Sequence, residues 1–173
     1  MKPKILGLLA VGLMAGPIAA NAAPIKWTVS GLFDDGGTLS GSFTVETDTN
    51  SMVDWSIVTT SGSTLPGFTY DMSSSGFFGF NVFATNPNSV VLYRIDPFAQ
   101  PYIQLGFTSS LFTPGTISLD TTGFDAGSWE CNNCDPSRFL TSGTATSVPE
   151  PGTLALLGFG LAALGLSRRR KAN

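Results

Sequence analysis

Polar and apolar residues alternate with a period of two along much of the chain. Trp27, Val29, Gly31 and Phe33 share one parity, as do Leu39, Gly41, Phe43 and Val45, and Val53, Trp55 and Ile57 continue the pattern. Successive side chains of a strand point to opposite faces, so this spacing predicts three strands with one face on a core. Asp34-Asp35-Gly36-Gly37 reads as a hairpin-type turn, and Asp48-Thr49-Asn50-Ser51 links the second strand to the third. Residues 25–60 are therefore expected to form a three-stranded meander.

Later strands are expected at 77–84 and 90–95, with Asn86-Pro87-Asn88 turning between them. Residues 102–107 follow Pro97 and Pro101, 116–119 follow Pro114-Gly115, and a last strand is expected within 138–146. No stretch in this region has sustained helical periodicity, and no internal repeat recurs at a fixed spacing. About eight short strands separated by Gly, Pro, Asn and Asp predict an all-β fold, an antiparallel sandwich or barrel, with a jelly-roll-like β-sandwich as the preferred form.

The two ends break this pattern with unbroken apolar runs. Lys2 and Lys4 precede an apolar stretch at 5–14, and Ala20-Asn21-Ala22 offers small residues where a signal peptidase cuts. This predicts a secretory signal peptide at 1–22, cleaved after Ala22, because cleavage after Ala23 would put Pro24 at the scissile bond. The alternative is an uncleaved anchor helix. Against it, the run is short and is broken by Gly16-Pro17.

At the other end three elements follow in order: Val148-Pro149-Glu150-Pro151-Gly152, the apolar run TLALLGFGLAALGL at 153–166, and Ser167-Arg168-Arg169-Arg170-Lys171. The run is shorter than the roughly 20 residues of a standard membrane span. Arginines can snorkel from the ends of a short helix, and a bilayer can thin around one. The basic cluster beyond the run should then stay on the cytoplasmic side, with the rest of the chain outside. The alternative is a buried C-terminal helix, for which Gly158, Gly160, Ala162, Ala163 and Gly165 would also suit close packing. Two prolines hold the preceding segment extended and stop the helix from growing backward. The stretch GTATSV before them reads as a solvated leash.

The segment VPEPGTLALLGFGLAALGLSRRR resembles the PEP-CTERM sorting signal of Gram-negative bacteria, over roughly the last 25 residues. The resemblance implies that Pro149, Glu150 and Pro151 are the recognition motif for an exosortase, an integral-membrane, transpeptidase-like enzyme, and that Arg168, Arg169 and Arg170 are the membrane stop signal. The ectodomain would then be released or transferred. It also implies an association with exopolysaccharide and biofilm matrix. GLFDDGGTLSGSFTVETDTNSMVDWSIVTTSG resembles an N-terminal module common among such proteins, and no activity follows from it. The expected organisation is a signal peptide at 1–22, an ectodomain at 23–147 and a sorting signal at 148–173. Within the last, the motif occupies 148–152, a transmembrane helix 153–166 and a basic tail 167–173.

Charge sharpens the picture. Only 12% of the residues are charged, about half the usual share. The formal net charge of −3 conceals an ectodomain with eleven acids against Lys26, Arg94 and Arg138, a difference of −8. Such a surface repels nucleic acid, whose binding needs basic patches. The expected partners are an exosortase-type enzyme, the inner membrane as a transient anchor, and exopolysaccharide, with no nucleic acid.

Candidate chemistry is sparse. The sequence contains no histidine, which removes imidazole-based triads and most catalytic zinc sites. The expectation is a non-catalytic protein without cofactor or metal. Cys131 and Cys134, the only thiols, predict a local disulfide in an exported chain. Free thiols, a redox pair or a metal site are the alternatives. Glu46 and Glu130 are the only ectodomain glutamates, and a glycosidase would need its two acids close together. Asp34-Asp35 and Asp48-Thr49-Asn50 offer oxygens of the kind calcium uses, without the spacing of a known loop. Phe68, Tyr70, Phe77, Phe78, Phe80, Phe83, Tyr93, Phe98, Tyr102, Phe107 and Phe112 read first as core, and second as rings on which sugars stack. The chain is thus expected to be a structural or interaction protein of the cell surface or extracellular matrix. A carbohydrate-binding module for exopolysaccharide is the alternative.

Overall fold

The computed structural model describes residues 23–80, 88–94, 100–148, 156–158 and 160–161. The expected signal peptide, Pro149, Glu150 and Pro151, and Arg168, Arg169 and Arg170 lie outside these residues, as do Phe83 and Phe98.

Strands β1 (Ile25–Phe33), β2 (Thr38–Glu46) and β3 (Ser51–Thr59) form the expected meander. Trp27 stands opposite Phe43, and Phe43 opposite Trp55, so the in-pointing parity is the one the alternation marks except at Val53, which lies beyond a register shift at Thr44/Val45 and is exposed while Met52 takes the core position opposite Val45. The remaining strands are β4 (Thr69–Asp71), β5 (Ser75–Phe80), β6 (Ser89–Arg94), β7 (Pro101–Gly106), β8 (Thr116–Ser118), β9 (Trp129–Asn132) and β10 (Ser137–Val148). All pairings are antiparallel. They run in the order β4-β3-β2-β1-β10-β9-β7-β6-β5, with β8 beside β10.

The fold is all-β and antiparallel as expected, but of the two expected forms the architecture is the barrel-like one and not the preferred sandwich of two stacked sheets. A single sheet curls into a nearly closed, barrel-like wall. The reason is the twelve-residue β10, whose start pairs with β9 (Phe139 opposite Trp129) and whose remainder pairs with β1. One long strand thus carries the hydrogen-bond ladder from one half of the sheet to the other. The ends of the path, β4 and β5, are consecutive in the chain and joined by a three-residue turn. Asp71 caps that turn, its Oδ1 accepting from the amides and hydroxyls of Ser73 and Ser74. The Trp55 indole donates to Ser75 Oγ at 2.9 Å, and Ser75 Oγ donates to the Asp71 carbonyl at 2.6 Å, tying β3 to both edges.

Strand number also differs, with ten strands against about eight. β4 and β9 have three and four residues, too few for alternation to register, and β9 lies in the cysteine segment that reads as a turn. A further correction concerns GTATSV. This stretch is not a leash but the far end of β10, paired with β1 through Val148 opposite Lys26.

The core joins both halves of the wall. Trp27, Val29, Phe43 and Ile57 meet Val90, Leu92, Ile103, Leu105 and Phe107, all essentially inaccessible. Phe43 and Phe107 pack as tilted rings 5.8 Å apart, and the Trp27 indole donates to the Leu111 carbonyl at 3.1 Å. Tyr70 and Phe107 are fully buried, and Phe68 and Phe77 pack against the core. Burying such side chains stabilises by about 1.5–3 kcal/mol each, and this apolar burial is the main force holding the wall closed.

Candidate functional site

Three regions merit a functional reading: the end of the barrel where the chain leaves it, a buried charge network, and an aromatic cleft.

The first is set by the β1–β10 ladder. Ile25 begins β1 three residues after the expected cleavage point, and Val148 ends β10 one residue before Pro149. Because the two strands are antiparallel neighbours, both ends of the domain emerge side by side at one pole. Ser147 is fixed there from its other flank. Its amide donates to the Gly115 carbonyl at 2.8 Å, and the Gly115 amide donates to Ser147 Oγ at 2.7 Å. Beyond β10, residues 156–158 and 160–161 are helical, and Leu156, Leu157 and Leu161 are exposed. These leucines do not pack into the barrel. Among the described residues no helix is long and apolar enough to cross a membrane.

The second region is built on the β9–β10 hairpin. Its register puts Glu130 opposite Arg138, both facing inward and fully buried. Arg138 Nε donates to Glu130 Oε2 at 2.7 Å, and Nη1 reaches the Asp35 carboxylate at 3.2 Å and the Thr60 carbonyl at 2.9 Å. The guanidinium lies 4.2 Å from the centre of the Phe33 ring. Tyr70 and Thr59 donate to Glu130 Oε1 at 2.8 and 2.9 Å. Gly37 passes so close to Nη1 that a Cβ there would collide with it.

Burial pushes the Glu130 carboxyl above its usual range despite Arg138, Tyr70 and Thr59. Burial, followed by the neighbouring Glu130 charge, drives the Tyr70 hydroxyl well above 10.0. For Asp35 burial works upward, but the Gly37 and Leu65 amides and Arg138 outweigh it and leave its pKa lowered. Every charge in the cluster has a partner inside the protein, which is the arrangement of a structural lock rather than of an acid–base pair facing substrate.

Glu46 and Glu130 are not brought together. Thr59, which donates to Glu130, stands opposite Leu39, and Glu46 lies roughly 23 Å further along β2 at strand spacing. Asp35 is engaged by Arg138 and by backbone amides, and the exposed Asp34 accepts the Phe139 amide through Oδ1 at 3.1 Å. Among the described residues no three acidic or thiol side chains converge as a metal would require.

The third region is a cleft of about 490 Å³ on the outer face, lined by Phe78, Gln100, Tyr102, Phe124, Trp129 and Asn133, with Cys134 at its edge. Cys131 and Cys134 are joined as a disulfide across the β9–β10 turn, as expected of the only two thiols in an exported chain. Asn133 in that turn adopts φ 53° and grips residue 100 in both directions. Its amide donates to the Gln100 carbonyl at 3.1 Å, and its Oδ1 accepts the Gln100 amide at 3.2 Å. Phe124 stacks edge-on against Trp129 (5.4 Å) and Phe139 (4.7 Å), and the Trp129 indole donates to the Phe124 carbonyl at 3.0 Å. Phe78 and Phe124 each leave about half their surface open, at 53% and 50%. Of the described aromatics singled out by the sequence, Phe68, Tyr70, Phe77 and Phe107 belong to the core, Phe78 and Tyr102 line the cleft, and Phe112 is exposed outside both. Phe124 and Trp129, the rings that shape the cleft, were not among them.

The charge network was not legible either. A register signal existed, since Glu130 and Arg138 are equidistant from the Cys131–Ser137 pair, but using it requires knowing that β9 is a strand.

Comparison with known proteins bears on the first region. Residues 147–171 match the family model of the PEP-CTERM protein-sorting motif. No curated protein and no solved structure matches the chain. The chain thus carries a sorting signal of the kind an exosortase-type enzyme processes on an exported, membrane-transiting protein.

Proposed function

We propose that this chain is a non-catalytic protein that does structural or interaction work at the cell surface or in the extracellular matrix. In this reading a short C-terminal helix holds it in the inner membrane until an exosortase-type enzyme removes the tail. The carrying observation is the sorting motif at 147–171, which begins within the last strand of a folded β-domain. A lack of histidine and a buried, fully paired Glu130 support a role without catalysis. The −8 charge of the ectodomain speaks against nucleic acid as partner. Mass spectrometry of the protein from its native cells tests the reading. Loss of residues 1–22 and of Arg168 to Arg170 is expected, and native material that retains the arginines would sink it.

A second reading, binding of exopolysaccharide within a biofilm matrix, has one specific observation in its favour. The cleft sets the half-open rings of Phe78 and Phe124 beside the side-chain amides of Gln100 and Asn133. Ring faces take the apolar faces of sugars, and amides take their hydroxyls. A glycan array probed with the ectodomain tests it, and no retention on any polysaccharide would remove it.

A further inference from the structure

The sorting signal and the fold overlap. The matched motif begins at Ser147, whereas β10 continues through Val148. The last residues of β10 are held on both flanks. On one side Thr146, Ser147 and Val148 pair with Thr28, Trp27 and Lys26 of β1. On the other, Ser147 exchanges two hydrogen bonds with Gly115, and the Thr146 hydroxyl lies 3.2 Å from that of Thr116. From Val148 to Thr153, the first residue of the apolar run, the chain can reach at most about 18 Å when fully extended. While the tail is anchored, this pole of the barrel must therefore lie close to the bilayer.

An enzyme that accepts an extended peptide does so largely through the peptide's main-chain donors and acceptors, on both sides of the bond it breaks. At 146–148 those groups are already committed to β1 and to the segment at 115–118. They cannot serve both ladders at once.

We propose that the pole formed by the ends of β1 and β10 and by Gly115 is the surface the processing enzyme meets. We further propose that tail removal waits on fraying of Thr146, Ser147 and Val148 from this pole. This rests on the sorting function proposed above. The step itself breaks one peptide bond, leaves the new amine on the membrane segment, and passes the ectodomain's carbonyl to water or to an acceptor nucleophile supplied by the enzyme. The folded domain thereby sets the pace of its own release, and an unfolded precursor is cut faster than a folded one.

Pulse–chase labelling of the full chain in its native cells tests this. A four-residue Gly-Ser insertion between Val148 and Pro149 lies outside the strand and leaves the fold intact, and it is expected to speed tail loss several-fold. Ser147→Ala removes one clamp hydrogen bond and is expected to speed it by up to about fivefold, the worth of a single such bond in an opening equilibrium. An insertion variant processed at the parental rate or slower overturns the gating. A parental chain that never loses its tail overturns the sorting function as well, so the two failures are distinguishable.

Discussion

Arg138 and Glu130 face each other across the β9–β10 hairpin, sealed inside the barrel, with Nε 2.7 Å from Oε2. The pair closes the pole opposite the chain ends, where Arg138 also gathers the β1–β2 turn through Asp35 and the segment after β3 through Thr60.

Removing one partner of such a pair leaves the other charged and buried without compensation. Arg138→Met is therefore expected to destabilise the domain by about 3–5 kcal/mol. Changing Glu130→Leu in the same molecule should restore part of that loss, because it removes the uncompensated buried carboxylate, while Tyr70, Thr59 and Asp35 still lack a partner they had in the parent. Urea unfolding of the two variants and the parent measures both effects. A double variant no more stable than the single one would contradict the coupling of the two charges.

Acid stability should depend on Asp71. Hydrogen bonds from the Ser73 and Ser74 hydroxyls hold its pKa at about 2, against an ordinary 3.8. A depressed folded-state pKa contributes stability above the unfolded value and loses it as pH falls through the folded one. The window is thus about pH 4 to 2, and Asp35, also lowered, acts with the same sign. Glu130, raised by burial, acts oppositely: its contribution is complete below its ordinary range and fades as pH climbs through its folded value. In Asp71→Asn the decline in unfolding free energy between pH 4 and 2 should be shallower than in the parent, as chemical denaturation across that range would reveal.

The disulfide encloses only four residues, Cys131 to Cys134, so its loop-closure contribution is small. About 2 kcal/mol follows from the chain-entropy relation. Cys131→Ser with Cys134→Ser should lower the melting temperature and leave the far-ultraviolet circular dichroism unchanged. Reductant should shift the parent in the same direction and not the variant.

Sugar binding, if it resides in the cleft, should fail selectively. Phe78→Ala removes a ring that is half open, at a stability cost of about 1 kcal/mol. Retention on a binding polysaccharide should drop at least about tenfold in affinity electrophoresis, the scale of one lost stacking partner. Retention equal to that of the parent would place binding elsewhere.

The meander at 25–60 was legible because three nine-residue strands give alternation room to show, and because Asp-Asp-Gly-Gly leaves little choice of turn. The sorting tail was legible for a different reason: its order of proline, apolar run and arginines is read locally, without tertiary structure. The Arg138 lock was hidden, since a lone arginine just after a Pro-Ser turn looks solvated until Glu130 across the hairpin and the distant Asp35 and Thr60 converge on it. Thr144 to Val148 misled in the opposite sense. Its small hydroxyl side chains suit either a tether or an edge-paired strand, and only the ladder with β1 decides between them.

The long final strand has one more effect. Asn133 and Cys134, at the rim of the cleft, precede its start, and the chain leaves from its far end, some 36 Å away along the strand contour. In the proposed anchored state, before the tail is removed, the aromatic mouth would therefore face away from the bilayer, presented outward like the head of a short stalk.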